Sequence, residues 1–290
     1  MKPEKFQSLV KSAALLAAAS LAAGCASLVS NAASGFADNL AAAVLNQDDP
    51  ETARAAIPSY MILIDSMIEG YPGDPAMLSA GATLYASYGA VFADEPERAR
   101  RLTAKARRYG LQAMCEVYAD ACGWRDMTYD DFVASLVDVP AKHAETLYTY
   151  GTATLAYLRA HSDDWNSLAE LPQIEALFEH YLAIAGDDVT AATHTYMGIL
   201  LTLRPPALGG KPEEARAHFE RAIELSDGRD LTAKVEFARG YAKLLYERDL
   251  HDRLLMEVLS ADPYADGLTL ANVLAKQDAA ALLAEADDYF

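Results

Sequence analysis

Metal binding, nucleophilic catalysis and phosphate transfer each demand particular residue types at fixed spacing. The six histidines, His143, His161, His180, His194, His218 and His251, are scattered, and no two form His-x-x-x-His or His-Glu-x-x-His; no metal site is expected. No Gly-x-Ser-x-Gly elbow occurs. Gly209-Gly210 is followed by Lys211-Pro212, not by the Lys-Ser/Thr of a phosphate loop. The sequence therefore reads as a non-enzyme without a cofactor. Binding chemistry is easier to find. Arg204 could hold a carboxylate with both arms of its guanidinium, or hydrogen-bond the carbonyls at the end of its own helix. His194 lies four residues from Gly198 on a helix whose other face is Tyr196, Ile199, Leu200 and Leu203, and one reading makes it a core imidazole bonded to a neighbouring backbone carbonyl. His218 reads as a surface residue. Trp124 and Trp165 both follow turns and read either as plugs over hairpin ends or as ligand platforms.

The cysteines carry a second chemistry. Lys2, Lys5 and Lys11 precede an apolar run at 13–19, and Leu21-Ala22-Ala23-Gly24-Cys25 follows. Basic region, short apolar core and small residues describe a secretory signal, and the core is too short to span a bilayer. The ending resembles the bacterial lipobox, which implies cleavage after residue 24, acylation of Cys25 and a lipid anchor. Ala26-Ser27, with no Asp, resembles the sorting signal for a periplasm-facing outer-membrane lipoprotein. The expected division is signal peptide 1–24, lipidated cysteine and N-terminal helix 25–48, and a helical domain 49–290. Cys115 and Cys122 are then left as a pair that could bridge in an oxidising compartment, provided the helix ends near Tyr118.

The formal net charge is −18. Loss of residues 1–24, with three lysines and one glutamate, takes it to −20. Such a chain repels nucleic acid and anionic lipid. One basic run interrupts it: Arg98, Arg100, Arg101, Lys105, Arg107 and Arg108, a solvated helix face or a docking site.

The elements that must position these groups are helices throughout. Apolar residues recur at spacings of three and four, and Asp49-Pro50, Asp74-Pro75, Glu95-Pro96, Leu171-Pro172 and Pro212 mark helix starts. Helices are expected over 50–69, 75–92, 96–118, 129–137, 143–161, 171–184, 190–203, 212–225, 231–247, 251–259 and 268–289. Pro96-Glu-Arg-Ala99-Arg100 aligns with Pro212-Glu-Glu-Ala215-Arg216, and the register carries Ala106 onto Ala222. Pro212-Glu-Glu-Ala215-x-x-x-Phe219-x-x-Ala222 fits the second helix of a tetratricopeptide (TPR) repeat. The expected fold is all-α: antiparallel helical hairpins stacked as a short, cryptic TPR-like solenoid, which presents a concave surface.

Several strings together resemble one family. His194-x-Tyr196-x-Gly198 leads into Arg204-Pro205-x-x-x-Gly209-Gly210-x-Pro212-Glu-x-Ala215-x-x-x-Phe219-x-x-Ala222. Leu231-x-x-Lys234-Val235-x-x-Ala238-x-x-Tyr241, Leu254-Leu255-x-x-Val258-Leu259 and Leu270-Ala271-Asn272-x-x-Ala275-Lys276 follow. They look like the TatT family, the periplasmic T component of TRAP transporters. The resemblance implies a homotrimeric, all-helical lipoprotein that partners a periplasmic TRAP solute-binding protein, the P component. It also implies a cleft or pore for a hydrophobic or carboxylate ligand, which His194, Tyr196, Arg204 and Tyr148 would line, with Trp165 and Trp124 as further candidates. A TPR-type envelope assembly lipoprotein, binding a protein segment without a small ligand, is the alternative.

Overall fold

The computed structural model describes residues 39–290. The expected signal peptide, Cys25 and most of the N-terminal helix expected within 25–48 lie outside that range; 39–45 is helical. Aspartate–proline pairs begin the first long helices. The Asp49 carboxylate accepts from the Glu51 amide at the head of α1 (Pro50–Gly70), and Asp74 accepts from Ala76 and Met77 at the head of α2 (Pro75–Val91). Proline in the first turn has no amide to leave unpaired and a backbone angle already suited to a helix. α3 (Pro96–Val117) also has proline in its first turn, but Glu95 before it makes no side-chain cap; the helix runs into a 3-10 segment, Ala119–Asp126. The Cys115–Cys122 disulfide folds that segment back onto the end of α3, with the two Cα atoms 4.7 Å apart.

α4 (Tyr129–Val137), α5 (Ala144–Ala160), the single turn α6 (Trp165–Leu168), α7 (Leu171–Ile184), α8 (Ala191–Thr202) and α9 (Pro212–Leu225) follow. The chain continues through α10 (Leu231–Glu236), α11 (Arg248–Ser260), α12 (Thr269–Ala284) and α13 (Ala286–Tyr289). Among the described residues there is no strand, so the fold is all-α, as the apolar spacing requires. No helix among the described residues is long and apolar enough to cross a membrane.

Two helices depart from the sequence reading. The one expected from 231 to 247 passes at Phe237–Ala242 into a π-helical stretch. There Gly240 presses against α8 so closely that a Cβ would stand 2.6 Å from Thr202 Oγ1. The last helix breaks at Glu285 instead of running unbroken to 289.

α2 and α3 lie antiparallel, with Gly89 against Leu102 and Thr103 and Gly81 against Tyr109. α8 and α9 form a second close hairpin, in which the Phe219 ring lies over Gly198; a Cβ there would approach the ring to 2.6 Å. Phe219 also stacks on Phe237, centroids 5.2 Å apart, and is fully buried. α5 packs on α2, α3, α7 and α8. It gives Ala153 to a core shared with α1–α3, and Leu147, Tyr150, Leu155 and Leu158 to a larger core that extends to α11 and α12.

α12 spans both cores as well. Leu270 belongs to the first, Ala275 and Ala279 to the second. Buried Asn272 fixes its start: Oδ1 accepts from the Leu231 amide at 3.0 Å, and Nδ2 donates to the carbonyls of Arg229 and Pro263. In the approach to α12, Asn46 Oδ1 accepts from the Gly267 amide at 2.7 Å and its Nδ2 donates to Asp266, while the Tyr264 hydroxyl donates to Asp48. The last helix is thus joined to the segment that precedes the first.

Candidate functional site

Tyr148 on α5 and Tyr196 on α8 stand together, ring centroids 6.2 Å apart, and Tyr148 also packs on Tyr181 at 4.9 Å. Both are half-buried. Burial pushes the Tyr148 phenol far above its usual range, with Tyr196 adding to the effect. The Tyr196 phenol is raised by burial and by the charge of Asp230. Neither ionises near neutral pH, so the pair offers apolar ring surface with a neutral hydroxyl.

Beside Tyr196 lies a chain of charges that links α5, α10, the π-helical stretch and α12. Arg159, on the last turn of α5, is 3.4 Å from Glu236. Glu236 ends α10, has a side chain only 9% exposed, and meets Arg239 of the π-helical stretch at 2.5 Å. Arg239 reaches Asp278 of α12 at 2.5 Å with its other amino group. Burial works against the Arg239 charge, but Glu236 and Asp278 outweigh it and hold the guanidinium above its ordinary value. Two guanidiniums and two carboxylates cancel, and a π-helical turn is the kind of irregularity that often marks a functional position. The sequence reading missed this network. Its members lie at 159, 236, 239 and 278, and only the Glu236–Arg239 spacing of three was legible as a local pair.

The other candidates fall elsewhere. Arg204 lies against Glu175 of α7, Nη2 to Oε2 3.8 Å, and Lys211 forms an ion pair with the same carboxylate. So the carboxylate that Arg204 meets is the protein's own. Buried Arg204 Nε lacks a hydrogen-bond partner among the described residues. These groups line a cavity of about 260 Å³ with Tyr129, Pro172 and Glu179, and none of the other five ligand candidates lines it. Burial and the neighbouring Glu175 raise the Glu179 carboxyl above its usual value.

His194 does not meet a backbone carbonyl. Its Nδ1 shares a hydrogen bond with Nδ1 of His218 across the α8–α9 hairpin, 2.8 Å apart. His218 is half-buried, not a free surface residue. Burial, then His218 and Arg221, push the His194 imidazole down to about 4. Burial lowers His218 as well. Trp124 is buried between Phe132 and Tyr150 and donates to Ser135 Oγ at 2.9 Å; Trp165 is 72% exposed. No group of three or more potential metal ligands occurs among the described residues.

No curated protein matches the chain. A family model described as TRAP transporter T-component matches residues 46–290.

Proposed function

The chain belongs to the TRAP transporter T-component family, and from that membership we propose that it is a periplasm-facing, non-enzymatic accessory of a TRAP-type transport system, anchored through acylated Cys25 in the outer membrane. The observation that carries this reading is the extent of the match, which takes in every helix from α1 to α13. In this reading the helices form TPR-like hairpins, the protein assembles as a homotrimer, and its partner is the periplasmic solute-binding protein of the same transport system.

A small ligand, if one is handled, is best accommodated where Tyr148 and Tyr196 offer ring surface beside Arg159 and Arg239. That combination suits an apolar body bearing a carboxylate. Arg204 enters such a site only if the ligand displaces Glu175. The alternative, an envelope scaffold that binds a protein segment and no small molecule, draws support from the same feature: Arg159, Arg204 and Arg239 all face the protein's own carboxylates.

Analytical ultracentrifugation separates the two. A soluble chain beginning at Ser27 is expected to sediment as a trimer and to form a larger complex with the solute-binding protein encoded beside the cognate TRAP permease. A monomer at tens of micromolar, with no shift on adding that protein, would favour the scaffold.

A further inference from the structure

The basic run on α3 divides into two sets. Arg100, Lys105 and Arg107 are paired: Arg100 with Asp163 at 2.6 Å, Lys105 with Asp65 at 2.5 Å, and Arg107 with Glu170. Arg98, Arg101 and Arg108 have no carboxylate within ion-pair distance among the described residues, in a chain of net charge −18. Arg98 lies over the Tyr88 ring at 5.1 Å and reaches its hydroxyl. Arg101 and Arg108 are exposed. Positions 98, 101, 105 and 108 recur at spacings of three and four, so they share one face of the helix.

This face does not stop at α3. Lys105 reaches across to Asp65 of α1, and Ile62, one turn away from Asp65, is 72% exposed. Ile62 is thus an exposed apolar side chain on the helix that Lys105 reaches.

We propose that this stripe docks an acidic surface of a protein partner, the guanidiniums meeting carboxylates around a contact at Ile62. Arginine beside an apolar anchor is the composition of a protein interface. Screening over about 8–10 Å lets a partner at contact feel the local stripe and not the distant negative charge. A membrane fits less well. Each basic residue gains only about 1 kcal/mol at an anionic surface, so three of them give only weak attachment.

The inference rests on the proposed transport reading, with the solute-binding protein as the partner, and the test keeps the two apart. Binding of the solute-binding protein is measured for the wild type and for Arg101→Glu/Arg108→Glu, at low and at high salt. The expected result is binding that weakens with salt and falls about tenfold or more in the double variant, with an unchanged melting curve because both residues are exposed and unpaired. Equal, salt-insensitive binding by both proteins would overturn the docking surface and leave the transport reading standing. Absence of wild-type binding would remove the transport reading and the docking surface with it. Wild-type binding to phosphatidylglycerol vesicles, lost in the double variant while binding of the solute-binding protein is unaffected, would assign the stripe to the membrane and overturn the proposal.

Discussion

His194 and His218 meet through two ring nitrogens that cannot both carry a proton and keep their hydrogen bond. Both imidazoles are held neutral by burial, His194 down to about 4. The unfolded chain takes up these protons as pH falls below about 6.5, while folded His194 does not until about 4. The pair therefore withdraws stability as pH drops through that window and has no effect above it. His194→Asn/His218→Asn should show a smaller fall in Tm between about pH 7 and pH 5 than the wild type; equal falls in thermal melts would mean that the pair does not titrate with folding. At this scale the sequence was half legible. Arg204 was recognisable as a carboxylate binder, but its partner Glu175 is on another helix, and no spacing announces a contact between α7 and the loop after α8. Histidine spacing within one helix could be searched, whereas a pair made across a hairpin could not.

The helices themselves were legible where local chemistry decides them. Proline after aspartate set the heads of α1 and α2, and the Ala215, Phe219 and Ala222 pattern marked a buried face on α9, where all three are fully buried. What local chemistry does not decide was lost. The π-helical turn at Phe237–Ala242 coincides with the close approach of Gly240 to Thr202 on another helix, a tertiary fact. Phe219 is the test of the α8–α9–α10 junction. Phe219→Ala should lower stability by about 3–5 kcal/mol, since the void is bounded by Phe237 and the Gly198 backbone and cannot readily collapse. Gly198→Ala should lower it by about 1–3 kcal/mol by driving a methyl into the same ring. Denaturant melts that place either variant level with the wild type would show the junction to be loosely packed.

For the molecule as a whole, an all-α chain was predictable from the order of helices, but the contact between 46–48 and 264–267 was not, because it joins segments far apart in the described chain and nothing local encodes it. An open stack of helices has two loose ends, and each end can melt while the middle survives, as nearest-neighbour coupling allows. Here Asn46 fastens one end to the other at Gly267, and α12 lies in both cores. With the early segment held to the approach of α12 and α12 shared by both cores, the described chain should melt as one cooperative unit, its calorimetric enthalpy equal to the van't Hoff value. Asn46→Ala, which removes an exposed side chain with two bonds, should change little in the core yet make tyrosine fluorescence and far-UV circular dichroism lose their common midpoint. Coincident midpoints in that variant would assign cooperativity to the shared cores alone. Tied through Asn46, Tyr264 and α12 together, the segment before the first long helix and the approach to the last one close the described chain on itself, so that it should come apart like a ring and not like a row.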